Sequence, residues 1–226
     1  MRSVKRGRFS FAVGAGRTTA LVYPAAKTKR ADGATLVLAH GAGAPQTHPF
    51  LVAAATAIAA RGIEVVTFNF LYLEGKRGGL DRPAVLEATW LAAIAAVRKR
   101  RRPARLFIGG KSMGGRFATM VAARDDVDVA GLVLLGYPLH PPGKPDKPRT
   151  EHLPRVRAPM LFVQGSRDAF GTPAELAPVV RKLAKGTRLF VVEGGDHSLT
   201  VARKAGVTLD QTLARVADEV AAFVSA

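Results

Sequence analysis

The stretch Arg105–Arg116, RLFIGGKSMGGR, admits two incompatible readings. It contains Gly110-Lys111-Ser112, the closing residues of a phosphate-cradling loop, and also Gly110-Lys111-Ser112-Met113-Gly114, a G-x-S-x-G turn that presents a nucleophilic serine. A phosphate loop needs G-x-x-x-x-G-K-[ST], so that glycine-rich backbone can wrap the anion before a helix begins. Here the position five before Gly110 is Arg105, and Leu106, Phe107 and Ile108 read as strand. The nucleophile turn needs a strand, small residues on both sides of the serine and a helix directly after it. RLFIG, the glycines 110 and 114, and RFATMVAA supply all three.

Outward from that turn, aliphatic runs recur: TTALVY ending at Tyr23, TLVLAH from Thr35, IEVVTFNF from Ile63, AGLVLLGYP from Ala130, APMLFVQG from Ala158 and TRLFVVEGG from Thr187. Such continuous apolar strands suit a parallel sheet covered on both faces. Segments with helical spacing alternate with them: 50–61, 83–102, 113–124, 173–185 and 209–224, two of them opening at Pro83 and Pro173. The alternation predicts one open α/β domain over residues 1–226. The segment Tyr137–Pro154, YPLHPPGKPDKPRTEHLP, follows neither period. Because it leaves the carboxyl end of a strand, where open α/β sheets bind ligands, it is expected to wall the site.

A serine hydroxyl needs a base, and the base needs a carboxylate to orient it. On such a sheet the order is serine, acid, histidine, each just past a strand. Asp168 in GSRDAFG and His197 in GGDHS satisfy that order, 29 residues apart (197 − 168). Asp196 and Glu193 are competing carboxylates, the first too close in sequence to reach the imidazole. The oxyanion requires two amides. Met113 supplies one by position, and Ala42, with Gly41 next, is expected to supply the other from the loop after TLVL. His40 is read as a brace for that loop within the substrate pocket. Tyr137, His140 and Phe170 are further candidate pocket residues; Phe50, Tyr72 and Leu139 are, like Tyr137 and Phe170, plausible wall residues of a kind more often found in plain core.

Composition narrows the field. The 48% hydrophobic and 23% charged residues describe a globular chain. With no cysteine, disulfides, a thiol nucleophile and thiolate metal sites are excluded. His48, His140 and His152 lack a ligand-like spacing, so no metal is expected, and serine chemistry requires no cofactor. The longest apolar run, Leu51–Ala60, is far below the roughly 20 residues a membrane span needs. The basic opening leads into an apolar patch that Gly14, Gly16 and Arg17 quickly break, unlike a secretory signal, so the mature chain is expected to begin near Met1 and to work in the cytoplasm. The formal charge of +17 invites a nucleic-acid partner. Yet its one dense cluster, Arg98–Arg102, reads as the end of a helix, and no aromatics interleave with it; a small acyl compound is the expected partner. Lys111 and Arg116, beside the serine, would suit an anionic substrate if they are not merely solvated. The sequence leaves the oligomeric state open.

Together HGAGAPQTHPF, GGKSMGGR, LGYPLHPPGKPDKPRTEHLP, FVQGSRDAFG and GGDHS resemble the α/β-hydrolase superfamily, and more narrowly its dienelactone-hydrolase-like members. Closer still, the chain looks like a small bacterial family whose eukaryotic relatives include a testis-expressed protein and a subunit of a chromatin acetyltransferase complex. The resemblance covers the chain from about Gly33 onward. It implies a mainly parallel sheet flanked by helices, a short proline-rich loop over the site in place of a large cap, and Ser112, Asp168 and His197 as a triad. It brings no established substrate. Because some such relatives serve as scaffolds, a non-catalytic interaction module with a basic surface is the alternative to an ester, thioester or small-amide hydrolase.

Overall fold

The computed structural model describes residues 6–28, 33–75 and 79–226. The expectation that the mature chain starts near Met1 falls on residues outside these. Eight strands form one sheet: β1 (Gly7–Val13), β2 (Gly16–Tyr23), β3 (Ala34–Ala39), β4 (Glu64–Phe68), β5 (Arg105–Lys111), β6 (Gly131–Leu135), β7 (Met160–Gly165) and β8 (Arg188–Val192). Their spatial order is β1-β2-β4-β3-β5-β6-β7-β8. β1 and β2 pair antiparallel, as do β2 and β4, while every later pairing is parallel.

Five α-helices cover the sheet: α1 (Pro49–Ala59), α2 (Pro83–Arg101), α3 (Met113–Ala122), α4 (Pro173–Val180) and α5 (Leu209–Val224). The central strands are mostly apolar because both their faces are covered; β3, β6 and β7 have no exposed residue. One core gathers Trp90, Ile94, Phe117 and Leu176 from α2, α3 and α4 against Val37, Ile108 and Phe162. The other gathers Leu51, Ile58, Val216 and Val220 from α1 and α5 against Leu36, Val133 and Val163. The expected sheet with helices on both faces is therefore present.

β1 is a strand the apolar-run pattern does not reveal. GRFSFAV alternates between faces, so it reads as a half-covered antiparallel strand, joined to β2 through Gly14 at φ 54°. α4 ends at Val180, short of the expected Lys185. Pro178 removes one amide from its hydrogen-bond ladder, and the chain turns through Gly186, at φ 88°, into β8. α2 closes as expected, with four basic residues in its last turn and Arg102 left-handed before Pro103.

Candidate active site

Ser112 stands between β5 and α3 at φ 50° and ψ −116°, backbone angles that residues with a Cβ rarely adopt. The turn is held by the Ser112 amide donating to the Leu135 carbonyl at 3.0 Å and by the Arg116 amide donating to the Ser112 carbonyl at 3.0 Å. Its flanking glycines are dictated by close approach. A Cβ on Gly110 would fall 2.4 Å from the Ala39 carbonyl oxygen, and one on Gly114 would fall 2.6 Å from the same atom. The buried Trp90 indole donates to the Gly114 carbonyl at 3.2 Å, anchoring the first turn of α3 to α2.

The structure brings Ser112, His197 and Asp168 together at the carboxyl edge of the sheet. Ser112 Oγ lies 2.8 Å from His197 Nε2, and His197 Nδ1 lies 2.8 and 3.0 Å from the two Asp168 carboxylate oxygens. An ionised carboxylate only accepts, so Nδ1 carries the proton and Nε2 is free to accept from the serine hydroxyl. Asp168 is 1% exposed, and its oxygens also accept from the Phe170 amide at 2.8 Å and from Gln164 Nε2 at 2.9 Å. Phe170 stacks on the His197 ring at 4.1 Å. Of the rival carboxylates, Asp196 accepts from the Ser198 and Thr200 amides and caps its own turn, and Glu193 is exposed.

A cavity of about 320 Å³ opens beside Ser112, walled by His40, Gly41, Ala42, Phe50, Lys111 and Phe170 among others. Neither the Ala42 amide nor the Met113 amide donates to another described residue, which leaves both available to an oxyanion. The loop that carries Ala42 is held from several sides. Gln46, 2% exposed, receives from Thr67, donates to the Thr19 carbonyl and gives its own amide to Asn69. The Gly43 amide donates to the Tyr72 hydroxyl, so Tyr72 supports this loop from behind. His40 accepts from the Phe70 amide at Nε2 and donates from Nδ1 to the Gly41 carbonyl. Burial pushes it down to about 4, which keeps it neutral and makes it a brace. Burial likewise pushes the Lys111 ammonium down to about 8, against the opposing pull of Asp168 and Asp196.

Two expected pocket residues, Tyr137 and His140, do not line this cavity. The Tyr137 hydroxyl donates to the Arg149 carbonyl at 2.6 Å and its amide donates to Gln164, so the side chain is spent on closing its own segment. His140 donates to the Pro141 carbonyl and faces Glu175 at 3.3 Å. Nor does any other residue of Tyr137–Pro154 form part of the wall. The segment acts one layer out: the His140 amide donates to the Phe170 carbonyl, and Leu139 packs against Gly171, so it backs the ring that stacks on His197. Gln164 and Gln46 are the residues that sequence reasoning misses. A glutamine inside the apolar strand MLFVQG is the one visible signal for the first.

A family model described as an alpha/beta hydrolase domain matches residues 32–225. The chain belongs to this family. As an alpha/beta hydrolase it shares its fold with solved structures of low sequence identity. A lidless α/β serine hydrolase from Xanthomonas campestris is 19% identical with a TM-score of 0.76, over 97% of this chain and 94% of that one. A dienelactone hydrolase from Anabaena variabilis is 19% identical with a TM-score of 0.73, over 97% and 96%. An esterase domain from Rhodothermus marinus is 14% identical with a TM-score of 0.73, over 98% of each. No helix among the described residues of this alpha/beta hydrolase is long and apolar enough to cross a membrane.

Proposed function

We propose that the protein is a serine hydrolase acting on an ester, thioester or small amide through an acyl-enzyme. The observation that carries this is the unbroken line of hydrogen bonds from Ser112 Oγ through the His197 ring to Asp168. Ser112 Oγ attacks the carbonyl carbon while its proton passes to His197 Nε2, and Asp168 stabilises the imidazolium that forms. The oxyanion is received by the amides of Met113 and Ala42. The tetrahedral intermediate collapses, and His197 returns the proton to the departing alcohol, thiol or amine. Water then attacks the acyl-serine with His197 again as base, releasing the acid and restoring the hydroxyl. The esterases and the dienelactone hydrolase among the structural neighbours fit this chemistry.

A fluorophosphonate probe should label the wild-type protein at Ser112 and leave Ser112→Ala unlabelled, as read by intact-mass and peptide spectrometry. A folded wild-type protein that takes up no probe, and that cleaves no p-nitrophenyl ester from acetate to octanoate, would return the chain to the non-catalytic reading.

A further inference from the structure

Lys111 closes β5 immediately before Ser112 and lines the cavity that opens beside that serine. Its stem passes the turn at Gly41, where a Cβ would lie 3.5 Å from Lys111 Cγ. Its ammonium reaches across to the end of β6. There a Cβ on Gly136 would fall 3.3 Å from Lys111 Nζ and 3.5 Å from His197 Nδ1, so ammonium and imidazole flank the same glycine. Among the described residues no acceptor bonds to Nζ and no carboxylate forms an ion pair with it. The two acids whose charge it feels are bonded elsewhere: Asp168 to the His197 ring, the Phe170 amide and Gln164, and Asp196 to the Ser198 and Thr200 amides.

A half-buried cation without a partner is costly. Burial holds Lys111 at about 8, which still leaves it protonated near neutral pH. The rest of the wall indicates what could answer the charge. Ala42, Pro45, Phe50, Leu51 and Phe170 are apolar, and the described lining contains no Asp, Glu or Arg and no other Lys. Burial keeps His40, on the same wall, neutral. An apolar pocket with one fixed positive charge favours a ligand with an apolar body and one negative group. A lysine ammonium is a compact point charge on a flexible stem, suited to a carboxylate that arrives from the open side.

We propose that Lys111 is a specificity-determining residue that binds a carboxylate on the molecule cleaved at Ser112. That role rests on the hydrolase reading above and narrows its substrate to a carboxylate-bearing acyl compound. The carboxylate belongs either to the acyl chain or to the departing alcohol, and the same ammonium serves both. If Lys111 were only a counter-charge for Asp168, its removal would slow charged and uncharged esters alike.

The test measures kcat/KM for wild type, Lys111→Met and, as a control, the exposed β1 variant Arg8→Met on two matched pairs of esters. Mono-p-nitrophenyl glutarate against p-nitrophenyl hexanoate places the charge on the acyl side, and m-carboxyphenyl butyrate against m-tolyl butyrate places it on the departing side. Intrinsic reactivity cancels when each charged-to-uncharged ratio is compared between proteins. In at least one pair the ratio should fall about tenfold in Lys111→Met and hold in Arg8→Met. A fall below about threefold in both pairs, whether or not the rates themselves drop, or an equal fall in Arg8→Met, would overturn the assignment. Lys111→Gln takes the place of Lys111→Met if the latter does not fold. A binding arm needs no turnover: monomethyl glutarate should raise the unfolding midpoint of Ser112→Ala more than the uncharged dimethyl glutarate does. That difference should vanish when Lys111→Met is added to Ser112→Ala, and its persistence there, or its absence from Ser112→Ala itself, counts against the site. If wild type cleaves none of the four esters, the hydrolase reading fails, and the binding arm alone decides whether Lys111 holds a carboxylate.

Discussion

Asp168 is reached by three donors at once, the His197 ring, the Phe170 amide and Gln164, and in the proposed mechanism only the first of them takes part in the chemistry. The other two fix where the carboxylate points. In Asp168→Asn the amide group would donate to Nδ1 and shift the imidazole proton to Nε2, leaving nothing to accept from Ser112. Esterase kcat should fall about 10³- to 10⁴-fold with the folded structure retained. A loss below tenfold, measured with p-nitrophenyl acetate, would mean that Asp168 does not set the tautomer. At this scale the sequence was informative where chemistry restricts residue type and chain order, as for Ser112, Asp168 and His197. It was uninformative where a side chain serves by position. Tyr137 and His140 leave the carboxyl end of β6 at the right place for a pocket, and only the bonds to Arg149, Gln164 and Pro141 reveal that they face their own segment.

Among the elements, α5 has the clearest sequence signature. Its boundaries follow from an apolar stripe and from a capping box in which Thr208 and Gln211 satisfy each other's amides. Thr208→Ala should lower stability by about 1 kcal/mol in urea denaturation and leave ester hydrolysis unaltered, since α5 lies under the sheet and away from the cavity. A change of less than a few tenths would show the cap to be idle. β1 was the least legible element because alternating polar residues weaken the signal that marks a buried parallel strand. In α4, helical spacing continues past the point where Pro178 withdraws an amide, so its period outruns its hydrogen bonds. The proline-rich segment gave no period at all, and its place behind Phe170 depends on contacts distant in the chain.

The whole molecule carries a formal charge of +17, and its stability should be sensitive to mild acid through two histidines kept neutral by burial. His40 and His152 are both pushed down to about 4 from an ordinary value near 6.5. Above 6.5 neither state of the chain binds these protons. Between 6.5 and 4 the unfolded chain takes them up and the folded chain does not, so stability falls as pH drops through that window. For the fully buried His40 the loss should reach about 3 kcal/mol near pH 4, with a smaller share from the half-exposed His152. Urea midpoints from pH 7.5 to 4.5 should trace this decline, and His40→Gln should flatten it; parallel curves would exclude His40 as the cause. The overall architecture was the most legible level, because strand and helix alternate along most of the chain and parallel strands must be aliphatic to be buried. The strand order has a consequence for how the protein fails. Ser112 is rooted in β5, inside the sheet, whereas His197 follows β8, an edge strand whose far side pairs with no other strand among the described residues. Fraying should begin there. Deuterium uptake on warming should reach Val191 and Val192 well before Ile108, and heat should silence the proposed hydrolysis while the far-ultraviolet dichroism is still that of the folded chain.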